Sequence, residues 1–416
     1  MIHRLLVWGV WNIHYHLIKT MRVLGMDIGN GTAVCCLLDA LPSEPRQFYI
    51  DRSLYHHFEA NSADVKALLA LKPDIAVLEP TGVNYSKIWS TVLIDHGIEV
   101  RLIGHNALTT HRDHLGLPDK EDETDAFALA HYGLSNLERP KKFLIIRDKV
   151  TQRVRELSLR LEHLNRVQNP IINRMRQDLS WQFPEISSQV VGRRGYTVPI
   201  FYRWLAGLRP WKRYDNLYSK TIGLGLTDTV RKHAKRLIDL QSEEIEIEQE
   251  LTELMQDERF KPYLKVLIKF GFGKRQQAIL IGQIYPFENF LDEDNKPIVV
   301  FKPATKRSKN KYTKRYLSRR RFEKMLGVAP TESSSGKKQE KKVRFGSDLC
   351  RKTLWQWVFT RVETTKGRMN NDVLKELYLW MHDPERKGTP IRLLRLKTAS
   401  KGVRMLFDHL VLELCT

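Results

Sequence analysis

Four acidic residues stand where carboxylates can act together. Asp27 lies in GMDIGNGT, at the end of a strand-like run, where a sheet holds the side chain while its head reaches the edge. Glu79 lies in VLEPTG, at the end of a second, buried run. Asp122 and Asp125, in DKEDETDAFALAHYG, are three residues apart and share one face of a helix that starts there. Acids from two strand ends and one helix face can cage two divalent ions. Hard oxygen donors suit Mg²⁺ or Mn²⁺, and paired ions activate the attacking oxygen and stabilise the leaving oxygen in phosphodiester chemistry. Each acid also has a plainer reading. A strand-end Asp forms turns, Glu79 before Pro80 can be a loop residue, Asp122 can cap the helix, and Asp125 can be a solvated first-turn acid. Asp119, Glu121 and Glu123 are the neighbours most easily mistaken for members of the set.

A second candidate is a serine. In LGVAPTESSSGKKQEKKVRFGSD, three serines precede Gly336, and Lys337 and Lys338 follow. A serine beside glycine can approach a phosphate closely while nearby cations stabilise the charge that develops; the plainer reading is a polar turn. This segment belongs to a basic stretch, Phe301 to Phe345, with 16 Lys and Arg against three Glu. Lys306, Arg307, Lys309 and Lys311 are candidate phosphate contacts within it. The whole chain of 416 residues has a formal charge of +21, which makes nucleic acid the leading partner and an acidic membrane the second; a merely basic soluble protein is the plain alternative. Further back, Gly271-Phe272-Gly273 joins two apolar helical segments, and its backbone N–H groups can face a phosphate. GFGK lacks the spacing of a nucleotide-binding P-loop.

The elements that must position these groups follow from periodicity. RVLGMDI, AVCCLL and RQFYI read as three strands before the first helix, SADVKALLALK; DIAVLEP and IEVRLIG read as strands flanking a helix in NYSKIWSTVLIDHG. Three strands before a helix favour an antiparallel meander leading into parallel strands, the order of a ribonuclease-H-like fold with a mixed sheet. DIGNGT also resembles the first phosphate loop of actin-like ATPases, but no second DxG loop follows. Long helical stretches at 148–182 and 227–255 suggest an antiparallel hairpin or a coiled coil joining halves or subunits, or an internal helix pair. Between them, basic residues accompany Trp204 and Trp211, suited to stacking on bases or to a packed loop. His111 to His114, HRDH, reads as surface or nucleic-acid-facing. Cys35, Cys36, Cys350 and Cys415 have no metal spacing and read as reduced thiols of a cytoplasmic protein. Leu5 to Trp11 is too short to span a bilayer, and 1–20 reads as an extension outside the fold.

Taken in order, these motifs resemble the DEDD transposases of bacterial insertion sequences, the insertion sequence 110 family, which includes the pilin-gene invertases. GMDIGNGTAVCCLL, LEPTGVNY, DKEDETDAFALA, FGFGKRQQAIL, LGVAPTESSSGKK and TPIRLLRLKTASKGVRMLFDHL are similar to successive family segments, from about Met21 onward. The resemblance implies a RuvC-like catalytic domain over 21–145, a coiled-coil linker with a basic aromatic insertion over 146–258, and a mainly α-helical C-terminal transposase domain over 259–416. It implies a metal-binding tetrad at Asp27, Glu79, Asp122 and Asp125. Ser335 falls at the nucleophile, with Ser334 the alternative, donated by a neighbouring subunit of a dimer or dimer of dimers. Its implied partners are donor and target DNA and a structured bridge RNA that pairs with both. A segment at about 291–314 looks inserted relative to the family, and GSD at 346–348 replaces its Gly-Asn-Arg-like run. The competing readings are a RuvC-like endonuclease using water as nucleophile, and a nucleic-acid-binding relative that retains the fold without catalysis.

Overall fold

The computed structural model describes residues 21–416 except 81–84, 118–119, 145, 188–191, 193–194, 305–311, 336–337, 344 and 416; at 52, 331–335 and 338–342 it describes the backbone only. The 1–20 segment lies outside the described residues. The chain divides into two compact units, Met1–Ile146 and Arg147–Thr416.

In the first unit, β1 (Val23–Ile28), β2 (Thr32–Leu38), α1 (Pro45–Ile50), β3 (Tyr55–Glu59), α2 (Ser62–Ala70), β4 (Ile75–Leu78), α3 (Tyr85–Asp95), β5 (Glu99–Leu102), α4 (His105–His114) and α5 (Asp122–Ser135) follow one another. The sheet order is β3-β2-β1-β4-β5, antiparallel between β1, β2 and β3 and parallel between β1, β4 and β5. This is the meander leading into parallel strands expected of a ribonuclease-H-like fold. One strand was misplaced by sequence: RQFYI forms α1, and β3 is YHHFE. Pro45 explains the difference, because its fixed φ and missing N–H suit the first helical position. Phe48 of α1 then stacks on Phe127 of α5, with ring centroids 5.1 Å apart. Helices cover both faces of the sheet, so adjacent Cys35 and Cys36 point to opposite sides and both are buried, Cys35 under α2 and α3 and Cys36 under α5.

The second unit opens with α6 (Lys149–Gln182), capped by Asp148, whose carboxylate accepts from the Val150 and Thr151 amides. Short helices α7 (Pro184–Ser187), α8 (Ile200–Leu205) and α9 (Lys212–Tyr218) lead to α10 (Asp228–Leu254), which runs back along α6. Of the readings left open for the two long helices, the observed one is an antiparallel hairpin within the chain. Val154, Leu157, Leu161 and Leu164 share a core with Ile247 and Leu251. Met175 and Leu179 share a second core with Val230, Ala234 and Leu237. Between the cores lies a buried polar layer in which Gln168 donates to Glu244 and accepts from Gln241. Arg153 pairs with Glu250 at 2.6 Å and Arg160 with Glu243 at 2.5 Å along the outside. Trp204 is packed in the second core and donates to Asp215 at 2.7 Å, so it is a core residue, while Trp211 is more exposed.

Next come α11 (Lys261–Lys269), α12 (Lys274–Ile284), the hairpin β6 (Val299–Lys302) and β7 (Thr313–Tyr316), and α13 (Leu317–Met325). A second hairpin, β8 (Thr331–Ser335) and β9 (Lys338–Lys342), precedes α14 (Asp348–Trp357), α15 (Thr365–Arg368), α16 (Asp372–Met381) and α17 (Ile391–Leu414). Trp357 is fully buried at the centre, donates to the Phe270 carbonyl at 2.8 Å and packs on Phe272.

Candidate functional site

The geometry of the acids begins with glycine. A Cβ placed on Gly25 of β1 would lie 2.1 Å from the Ala126 carbonyl oxygen and 2.3 Å from the Ala130 nitrogen of α5. One placed on Gly133 would meet Val77 and Val23 at 2.6 and 2.7 Å. These small residues let α5 lie directly on the sheet. Gly133 sits against Val23 and Ala126 against Gly25, so α5 runs antiparallel to β1 and its first turn reaches the Asp27 end. In the parallel pair β1 and β4, Met26 is in register with Leu78, which sets Asp27 and Glu79 at neighbouring strand ends.

The four acids therefore converge. Burial first, then the charges of Asp122 and Asp125 and more weakly Glu79, push the Asp27 carboxyl up to about 7, against a lowering hydrogen bond from the Ile28 amide. The acids differ in surroundings. Asp122 is exposed, whereas Asp125 is buried and held by Arg112 at 2.6 Å, both side chains about a tenth exposed. Glu79 pairs with His105 Nδ1 at 3.0 Å, and His57 stands 3.9 Å from Glu123. Among the described residues, no three His, Cys, Asp or Glu side chains are close enough as they stand to close on one metal ion. The convergence is electrostatic, with two of the four acids turned toward Arg112 and His105.

HRDH, read as surface or nucleic-acid-facing, is surface only in part: Asp113 and His114 are exposed. Its Arg112 is the partner of Asp125, and its His111 is half-buried, 3.1 Å from His131; burial and the neighbouring histidines His131 and His114 push His111 down to about 4. Helical spacing could have placed His111 and Arg112 inward, since Leu108 and Leu115 share that segment. His105 could have been suspected because it follows β5 as Glu79 follows β4, on the next parallel strand.

The other candidates are less fully drawn. Ser335 ends β8 and pairs in register with Lys338 of β9, but the side chains of Ser334, Ser335 and Lys338 lie outside the described residues. Lys306, Arg307, Lys309, Lys311 and Lys337 lie outside them altogether. Gly271 turns the chain between α11 and α12 at a φ of +67°, a conformation that favours glycine. The Gly273 N–H, offered above to a phosphate, donates to Gln276 Oε1 at 3.0 Å.

Two family models match the chain. A transposase model, that of the DEDD transposases of IS110, matches residues 24–184, which include all four acids. A second, described as transposase IS116/IS110/IS902 family, matches 310–374, which include Ser335. The chain belongs to the IS110 family of transposases. No curated protein matches this transposase. Among solved structures it is similar to RuvC of T. thermophilus in complex with a Holliday junction substrate, at 13% identity and a TM-score of 0.20, over 30% of this chain and 99% of that one. No helix among the described residues is long and apolar enough to cross a membrane.

Proposed function

We propose that this transposase cuts and rejoins DNA by metal-assisted phosphodiester exchange, with Asp27, Glu79, Asp122 and Asp125 as metal ligands and Ser335 as attacking hydroxyl. The observation that supports the metal site is the convergence of Asp122, Asp125 and Glu79 on the partly buried Asp27. Oxygen donors so placed, in a chain of net charge +21, suit a hard divalent cation such as Mg²⁺ or Mn²⁺, two ions being the number that phosphodiester exchange uses. Bound there, the metal would polarise the scissile phosphate and stabilise the leaving oxygen.

The chain's own residues supply the rest. β1 and β4 fix Asp27 and Glu79 at neighbouring strand ends, and the Gly25 contact fixes α5 and its two acids. Arg112 and His105 orient Asp125 and Glu79. Ser335, donated by a neighbouring copy of the chain, forms an ester bond to phosphorus while the bond from phosphorus to the leaving strand end breaks, and the serine's proton passes to the oxygen of that leaving end. A hydroxyl from the partner strand then attacks the same phosphorus, and the serine oxygen leaves and regains a proton. Donor and target choice rests on pairing with a bridge RNA, so that the basic residues of 301–345 grip backbones without reading sequence.

The test is strand cleavage and adduct formation on element-end DNA in Mg²⁺. Asp27→Asn should abolish both, and Ser335→Ala should abolish the covalent protein–DNA adduct together with strand exchange. Equal cleavage by wild type and Asp27→Asn would remove the tetrad from the mechanism. Cleavage that persists in Ser335→Ala without an adduct would put water in the serine's place.

A further inference from the structure

The second unit contains a concavity of about 550 Å³ between α6, α12, α14 and α17. Its volume lies in the range of roughly 300–1,000 Å³ that holds a small ligand, and it has room for one nucleotide but not for a duplex. We infer that it binds a single nucleotide of an unpaired nucleic-acid segment, with the base on Trp355 and the phosphate at Arg392.

Trp355 lines the concavity and is already fixed. Arg395 lies over its ring, 4.8 Å from the centroid, and is itself locked by Glu363 through bonds of 2.6 and 2.8 Å. An aromatic held in this way loses little freedom when a base stacks on it. The cations of the wall differ in commitment. Arg275 is bound by Glu244 and Glu248, Arg351 by Asp348, and Lys352 by Asp348 at 2.9 Å with Glu162 at 3.7 Å. Arg392 has no carboxylate partner among the described residues, so its charge is available to a phosphate. It sits in the first turn of α17, where Pro390 is the cap residue and no side chain caps the leading amides, a second source of positive potential on the same side. Asn165 and Gln356 place amides at the rim, able to meet a base edge. The wall is otherwise largely apolar, so its aromatic plate beside the uncommitted Arg392 matches a base with its phosphate better than an apolar metabolite or a cation.

Binding is measured with the full-length protein in chelator, where strand cleavage is off. The probes are a fluorescent 12-nucleotide single strand in DNA and RNA forms, the matching duplex, and AMP as competitor. Trp355→Ala should weaken single-strand binding about 5- to 100-fold and leave the duplex within about twofold. Trp355→Phe should restore most of the loss. Arg392→Gln should weaken the single strand several-fold and lower its salt slope by about 0.7. A 5-iodouracil probe should cross-link to the peptide containing Trp355. A loss confined to RNA or to DNA identifies which strand supplies the nucleotide. Unchanged single-strand affinity in Trp355→Ala and Arg392→Gln, equal losses on duplex and single strand, or AMP competing as well as the whole oligomer would each overturn the assignment. If Trp355→Ala does not fold, Arg392→Gln and the cross-link decide. None of these readouts depends on the metal or on Ser335, so the two proposals fail separately.

Discussion

Replacing Asp27 by Asn should stabilise the metal-free protein at alkaline pH and remove its response to divalent ions. In the folded protein the Asp27 carboxyl is pushed from 3.8 up to about 7 by burial and by Asp122, Asp125 and Glu79. The native state therefore holds a proton that the unfolded chain has lost. Its contribution to stability is fully present below about pH 4 and disappears as the pH rises through about 7. At pH 8 the charged cluster is a net cost. At about 1.4 kcal/mol for each tenfold change in proton affinity, the gap sets an upper bound of roughly 4 kcal/mol. Water reaches part of the carboxyl, so about 1–3 kcal/mol is a fair expectation after screening. Asn keeps the size and the oxygen that accepts from the Ile28 amide, so little packing is lost. Over a domain of this size the gain corresponds to a midpoint shift of about 3–10 °C. The assay is differential scanning fluorimetry of wild type and Asp27→Asn at pH 5 and pH 8, with EDTA and with Mn²⁺. The variant should melt higher than wild type at pH 8 in EDTA, the difference should fall to about two-fifths of that near pH 5, and only wild type should gain from Mn²⁺. An Asp27→Asn protein that is less stable at pH 8 in EDTA, or that gains from Mn²⁺ as wild type does, would refute the electrostatic account of the site.

Three further outcomes follow from packing. Arg112→Gln leaves the buried Asp125 charge beside the other acids, and urea denaturation should show a loss of about 3–5 kcal/mol at pH 8. Gly25→Ala drives a methyl into the α5 backbone, so the first unit should fail to fold or lose its protection in hydrogen exchange at β1 and α5. Trp357→Phe removes the bond to the Phe270 carbonyl and opens a void, which should lower stability by about 2–4 kcal/mol in urea titration with the m-value unchanged.

Much of the first unit was legible in the sequence because its signals are local. Short apolar runs mark β1, β2, β4 and β5, and an antiparallel pair leading into parallel strands constrains the order of the sheet. The acids were legible for the same reason: strand ends and a helix start can be recognised without knowing what lies across from them. Their partners were not. Arg112 meets Asp125 only because α4 and α5 pack together, a contact that HRDH by itself does not signal. RQFYI carries strand-forming residues, yet Pro45 and the ring of Phe127 across the interface decide for a helix. Likewise, the apolar spacing of α6 and α10 gave two buried stripes but left open whether each stripe met the other or a second chain. Pairs such as Arg160 with Glu243 lie 83 residues apart and leave no local trace.

Those pairs also give the long hairpin a unit of length. Arg153 and Arg160 are seven residues apart, and so are their partners Glu250 and Glu243. Being half-exposed, the pairs add little stability, and they mark the register that the leucines enforce. Two turns of helix return each side chain nearly to the same azimuth, so the arm can be shortened or lengthened in steps of seven residues per helix, about 10 Å each. Taking the same seven-residue step from both helices should leave a folded hairpin with its far core intact. Taking five should turn that core about 140° out of line and unfold it. The distance from the α6 N-terminus to the aromatic lobe around Trp204 is thus a stepped quantity, open to change by whole heptads and closed to anything between.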